Sequence, residues 1–302
     1  MPRRAVHGVL LLDKPVGLSS NDALQKARRL LNAEKAGHTG TLDPLASGLL
    51  PLCFGAATKF SQVSLDADKR YTATLHLGVT TTTADLEGEE VARRAVAFDR
   101  RTLDAVLARF TGPIAQRPPM HSALKHQGRA LYEYAREGIE VDRPARDVVI
   151  HRLEVLSWLE DRLVLDVHCS KGTYVRTLAA DLGEALGCGA HLAGLRRTGS
   201  GALSVDDAVG LDALASLPEA ARDALLRAPD VLLAEWPECR LDAGEAARFL
   251  TGLRRRVALA DLPRVRVYGP ERGALLGAAH ITAGELIPDR LLSPAEVQAL
   301  LH

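Results

Sequence analysis

One carboxylate stands in the stretch Gly37-His-Thr-Gly-Thr-Leu-Asp-Pro44, between two glycines that free the backbone, two threonine hydroxyls and a proline. The proline that follows Asp43 biases it toward extended geometry, so the carboxylate is presented at a fixed angle. A group held in this way can act as a nucleophile, stabilise developing charge or take a proton. An isolated Asp-Pro more often only starts a turn. The neighbours of Asp43 therefore decide between chemistry and a turn.

Other residues of chemical interest are dispersed. Lys14 lies in Asp13-Lys-Pro-Val-Gly17, and Tyr174 and Arg176 lie in Ser170-Lys-Gly-Thr-Tyr-Val-Arg176. By their own chemistry Tyr71 and Leu195 read as core residues and Arg176 as a surface arginine at a helix start. His38 has no second His or Cys beside it at metal-ligand spacing. Cys53, Cys169, Cys188 and Cys239 are scattered without a Cys-x-x-Cys pair, which reads as buried, reduced thiols with neither a disulfide framework nor a thiolate zinc site. There is no Gly-rich phosphate loop, dinucleotide fingerprint or metal cluster, so neither a cofactor nor a metal is expected.

The elements that must position these residues follow from periodicity. Val9 to Leu12 reads as a short buried strand ending at Asp13-Lys-Pro-Val-Gly17. Ser20 is expected to cap a helix over about 21–32, where Ala23, Leu24, Ala27, Leu30 and Leu31 recur at helical spacing. Tyr71, Ala73, Leu75 and Leu77 alternate with Thr72, Thr74 and His76, and Leu163, Leu165, Val167 and Cys169 alternate likewise, which predicts two strands. Helices are predicted over about 99–110 and 175–186, the latter with Leu178, Ala179, Leu182 and Leu186 on one face. Short β-type runs over Arg254–Tyr268 and Gly273–Ile287 suggest a small β domain beyond a boundary near Pro237.

The 302 residues suffice for one large or two smaller domains, and 47% hydrophobic with 25% charged residues excludes wholesale disorder. The longest stretch without Asp, Glu, Lys or Arg, Pro44 to Thr58, is broken by Gly48, Pro51 and Gly55 and falls short of the roughly 20 residues a membrane helix needs. The apolar run near the N-terminus stops at Asp13 and Lys14 before a signal-peptide core forms, so a cytoplasmic location is expected. The 38 basic and 38 acidic side chains cancel overall, but residues 1–60 hold eight basic and four acidic, while 201–250 hold four basic and ten acidic. A localised basic face for a polyanion fits this distribution better than bulk cationic attraction.

Gly-His-Thr-Gly-Thr-Leu-Asp-Pro-Leu-Ala-Ser-Gly at 37–48 resembles the signature of the TruB family of tRNA pseudouridine synthases. The resemblance continues through Asp13–Gly17, Lys69-Arg-Tyr71, Gly78 with Thr83, Asp85 and Gly88, Pro118-Pro-Met-His-Ser-Ala123, and Ser170–Arg176, hence over roughly residues 8–200. It implies an α+β fold of the pseudouridine synthase type, with a central mixed, mostly antiparallel sheet flanked by helices. A catalytic domain over 1–236 would be followed by a small, β-rich, PUA-like RNA-binding domain over 237–302. The implied reaction converts uridine to pseudouridine at position 55 in the T-loop of tRNA: the glycosidic bond breaks, the uracil rotates, and C5 joins the ribose.

Within that resemblance Asp43 matches the catalytic aspartate. Attack at C1′, attack at C6 and assistance in losing the C2′ proton all remain open to it. A carboxylate kept ionised in a pocket that excludes water needs a cation, and Arg176 matches the partner for that task. The target base must be flipped out, which costs a few kcal/mol recovered in the pocket. Tyr71 is implied to stack on the uracil and Tyr174 to contact it near C5, where a proton finally leaves. His38 is implied to fill the space left by flipped nucleotides, Leu195 to line the pocket, and Lys14 to support the site or a phosphate. The expected partner is the T-stem and T-loop of tRNA, gripped through Arg3, Arg4, Lys26, Arg28, Arg29, Lys35, Lys125, Arg129 and Arg254-Arg-Arg256, with Pro118 to Arg129 as a mobile cover. A monomer is expected, without membrane attachment and without a guide RNA, since no lysine-rich tail is present. A non-catalytic tRNA-binding or folding module would keep the basic face and the Tyr71/His38 pocket but have no need of Asp43 with Arg176.

Overall fold

Four successive aliphatic residues, Val9 to Leu12, leave no polar face for water, and in the computed structural model they form the centre of strand β1 (Gly8–Lys14), buried everywhere except at Asp13. The structure describes every residue except Met1, Ala123 and His302, so the last residue of the proline-led stretch 118–123 lies outside the described residues. Helix α1 (Ser20–Leu30) buries Ala23, Leu24 and Ala27 on one face, as the spacing predicts. Its cap is Ser19, whose hydroxyl accepts from the Asp22 amide at 3.1 Å, and Ser20 has a different task described below.

Strand β2 (Ala36–His38) pairs with β3 (Ala46–Phe54) through Ala36↔Phe54, Gly37↔Cys53 and His38↔Leu52. Strand β4 (Lys69–Leu77) buries Ala73, Leu75 and Leu77, as its alternation predicts. It is followed in the same part of the chain by β5 (Arg146–Leu159), β6 (Arg162–Cys169), helix α2 (Val175–Ala185) and β7 (Ala190–Ser200).

Two compact units result. The first contains the chain up to Pro44, Gly48–Ala67 and everything from Ser200 onward. In it β1 pairs antiparallel with β3, Leu12 opposite Leu50, and parallel with Val209–Gly210, which makes the sheet mixed. Residues 238–291 add a five-stranded sheet in the order Glu238–Arg240, Leu262–Tyr268, Leu275–Thr282, Glu285–Leu291, Arg255–Arg256. Val9, Leu11, Leu49, Cys53 and Phe60 share one buried cluster with Phe249, Val265, Val267 and Leu275 from that β-rich part.

The second unit contains Leu45–Ser47 and Asp68–Gly199. Its strands run in the order β7, β4, β6, β5, then Gly112–Gln116, with β4/β6, β6/β5 and the last pair antiparallel. Helix α2 and the helix Arg100–Arg109, capped by Asp99, contribute Leu178, Leu182, Leu103 and Leu107 to a core with Leu75, Leu163, Leu165 and Leu192. The architecture is α+β, with mostly antiparallel sheet and flanking helices. All four cysteines are buried thiols, and burial pushes Cys53 up to about 12 and Cys169 up to about 11, which keeps both protonated. Among the described residues no helix is long and apolar enough to cross a membrane.

Candidate active site

Asp43 sits in the irregular loop between β2 and β3, half-buried, and its position is set by bonds on either side of it. Immediately before it, the Leu42 amide donates to Ser20 Oγ at 2.7 Å while the same hydroxyl donates to the Leu42 carbonyl at 3.0 Å. Immediately after it, the Gly17 amide donates to the Pro44 carbonyl at 2.7 Å. The Thr39 amide donates to the Pro51 carbonyl at 3.1 Å where β2 ends. The loop is thus clasped to the segment that links β1 to α1. Lys14 braces that segment in turn: its fully buried ammonium donates to the carbonyls of Pro15 at 2.9 Å and Leu18 at 2.6 Å. His38 is half-buried at the end of β2, where the loop begins.

Ser20 is 2% exposed, so Ser20→Ala would leave the buried Leu42 amide without its acceptor. We expect that variant to lose about 1–3 kcal/mol of stability in urea denaturation.

Four of the predicted residues lie in the second unit. Arg176, in the first turn of α2, is 8% exposed and is seated on Asp85, itself 1% exposed, with Nη1 3.3 Å from Oδ2. Its Nη2 donates to the His121 carbonyl at 2.6 Å, which fastens the proline-led loop to α2. Asp85 is held by its own turn: Oδ1 accepts from Thr83 Oγ1 at 2.5 Å and from the Glu87 amide at 3.0 Å. That turn requires glycine at 88, because a Cβ there would stand 2.4 Å from Thr83 Oγ1 and 2.6 Å from the Thr83 amide nitrogen. The turn is joined to β7 where the Leu192 amide donates to the Ala84 carbonyl at 2.9 Å.

Tyr174 precedes α2, and the side chain of Gln116 grips its backbone from both sides: the Tyr174 amide donates to Oε1 at 2.7 Å and Nε2 donates to the Tyr174 carbonyl at 3.1 Å. Tyr71, half-buried on β4 opposite Val167, is hydrogen-bonded through its phenol to the guanidinium of Arg197 on β7. Arg197 is fully buried; burial pulls its pKa down and the Tyr71 oxygen opposes that pull. Leu195 packs partly buried against the core of this unit, on the same strand as Arg197.

Sequence alone assigns no part to Asp85, Gln116 or Arg197, nor the loop-clasping role to Ser20. The signal for Asp85 is the Thr-rich turn 80–83 with Gly88, since such a turn wraps a buried carboxylate. Gln116 and Arg197 act through partners 58 and 126 positions away, which no local pattern signals.

Residues 28–175 match the family model for the N-terminal domain of TruB family pseudouridylate synthases. Residues 176–233 match the tRNA pseudouridylate synthase B C-terminal domain, and 237–292 the C-terminal model of pseudouridine synthase II TruB. The fold is similar, with a TM-score of 0.73, to a chain in the crystal structure of the archaeal box H/ACA sRNP Nop10–Cbf5 complex, at 23% identity over 97% of this chain and 88% of that one. It matches with a TM-score of 0.74 a chain in an H/ACA RNP bound to a substrate RNA containing 2′-deoxyuridine, at 24% identity over 96% of this chain and 86% of that one. The architecture is therefore that of the pseudouridine synthases, enzymes that isomerise uridine in place. The sequence is 57% identical to the tRNA pseudouridine synthase B of Verminephrobacter eiseniae, over 99% of this chain and 92% of that protein. It is 58% identical to the protein of the same name from Cupriavidus pinatubonensis, over 97% and 96%. The chain belongs to the TruB family of pseudouridylate synthases.

Proposed function

We propose that this enzyme converts uridine to pseudouridine at position 55 in the T-loop of tRNA, with Asp43 as its catalytic carboxylate. The observation that supports this reading best is the clasping of the Asp43 loop at Leu42 and at Pro44, which aims one half-buried carboxylate from a motif matching the family signature. The names of the relatives supply the tRNA substrate. A single carboxylate can serve attack at C1′, attack at C6 or loss of the C2′ proton.

Arg176 would keep Asp43 ionised. A guanidinium carries five donors in a rigid fork, so an anchoring contact with Asp85 is compatible with a second carboxylate. Tyr71, steadied by Arg197, would stack on the flipped uracil. Tyr174, fixed by Gln116, would meet the base near C5, where its phenol can relay the departing proton. His38 would fill the space left by the flipped nucleotides and Leu195 would line the pocket. The enzyme would act as a cytoplasmic monomer without a guide RNA, residues 1–236 carrying catalysis, 237–302 binding RNA as a PUA-like domain, and 118–129 covering the substrate. Mapping pseudouridine in a uridine-containing tRNA treated with the purified protein tests both reaction and position; modification elsewhere, or none, would overturn the assignment.

The candidate phosphate ligands differ in the company they keep. Arg4 pairs with Asp223, Arg129 with Glu133 and Glu137, Arg254 with Glu285 and Arg255 with Glu245, while Arg28 donates to the carbonyls of Ala33 and Glu34. Lys26, Arg29 and Lys35 are exposed and, among the described residues, have no acidic partner. Replacing these three by alanine should flatten the dependence of log affinity on log salt by about 0.9 for each phosphate that the variant no longer neutralises. Filter binding across a salt series measures it, and an unchanged slope would remove these residues from the interface.

A further inference from the structure

Three side chains with no part in the isomerisation meet on one face of the second unit. Asp68 directly precedes β4, His168 lies on β6 opposite Arg70, and His151 lies on β5. His151 Nε2 is 3.1 Å and His168 Nε2 is 4.0 Å from Asp68 Oδ2, and the two imidazole centroids are 4.9 Å apart. One donor atom from each of the three residues lies within 4.8 Å of the other two.

A break in strand alternation brings them together. β5 pairs with β6 as Ile150↔Cys169 and next as Arg152↔His168, so His151 is the extra residue of a β-bulge. Regular pleating would send His151 to the face opposite Arg152 and His168. With the bulge, His151 and Arg152 are both exposed between buried Ile150 and Leu153. Bulges re-aim side chains, and this one turns the imidazole of His151 toward that of His168 and the Asp68 carboxylate.

We propose that Asp68, His151 and His168 bind a divalent transition-metal ion, with zinc as the fitting member of the class, which staples the start of β4 to the β5/β6 hairpin. Two imidazoles with one carboxylate suit zinc and its neighbours, whereas calcium and magnesium take oxygen donors. Donors about 2.0–2.1 Å from a tetrahedral ion stand about 3.3 Å from one another, a value that the 3.1 and 4.0 Å separations bracket. Asp68 and His151 are exposed, so the remaining coordination position opens to water. Nearby Arg152 is engaged by Asp166. The three residues are separated by 83 and 17 positions, which is why no ligand spacing marks them in the sequence and no metal is expected from it.

Isothermal titration of the full-length protein with zinc chloride should show one ion bound per chain, and cobalt chloride should give the intense visible absorption of a tetrahedral site. His151→Ala and His168→Ala should each weaken zinc binding by at least the roughly tenfold that loss of even an outer partner costs, and should abolish the cobalt band. His280→Ala, which removes a histidine paired with Asp289 in the five-stranded sheet, should bind zinc as the parent does. Circular dichroism checks folding, and Asp68→Asn gives the same reading should an alanine variant fail to fold. No stoichiometric zinc binding by the parent protein, or equal affinity in the histidine variants, would overturn the proposal.

Discussion

Asp43→Asn is expected to abolish pseudouridine formation while leaving tRNA binding within a few fold of the parent protein. Asparagine has the shape of aspartate and can occupy the same loop, since the clasps on either side use only the backbone of Leu42 and Pro44. It lacks the charge that attack on C1′ or C6, or removal of the C2′ proton, requires. Turnover should fall by at least about 10³-fold, equivalent to about 4 kcal/mol of transition-state stabilisation. Pseudouridine mapping gives the rate and filter binding the affinity. Turnover by the variant at the parental rate would remove Asp43 from the chemistry.

The second large effect is expected from Arg176→Ala, and it should appear in two measurements that can be separated. Asp85 is almost wholly buried, and deleting the guanidinium leaves its carboxylate, among the described residues, with the Thr83 hydroxyl and the Glu87 amide. Breaking a buried pair in this way costs about 3–5 kcal/mol, to be read in urea denaturation. Turnover should also fall by about 10²-fold or more, as it does when a charge-stabilising donor is removed from an active site. Combining Arg176→Ala with Asp85→Ala removes the stranded charge and should recover much of the stability. If Arg176 also holds Asp43 ionised, turnover stays low in the double variant; recovered turnover would reduce Arg176 to a purely structural role.

What sequence can and cannot reveal follows the reach of each interaction. Ala73, Leu75 and Leu77 face inward on β4 because a strand shows its period within a few residues, and the helices at 100–109 and 175–185 are legible for the same reason. Ser19 and Ser20 look alike as caps. The structure separates them because the partner of Ser20 is Leu42, 22 positions away. Arg176 stands out through its motif, yet the carboxylate that seats it in the second unit is Asp85, from a turn 91 positions earlier. Charge counted by segment also overstates what a polyanion meets. Part of the acidic excess over 201–250 is engaged by basic residues of the same unit, as Asp223 is by Arg4 and Asp207 by Arg227. The salt series tests the exposed Lys26, Arg29 and Lys35 themselves, which the total of +4 over residues 1–60 does not.

The two clasps around Asp43 also make chain length part of how its carboxylate is held. Gly17 and Ser20, three positions apart, are matched to Pro44 and Leu42, two positions apart on the facing segment. The pairing works as a ruler. One residue added between Gly17 and Ser20 would let either clasp close but not both, and the carboxylate between them would swing toward the open side. Surface loops commonly tolerate insertions; this one is gauged, so drift in its length would cost stability together with the placement of Asp43.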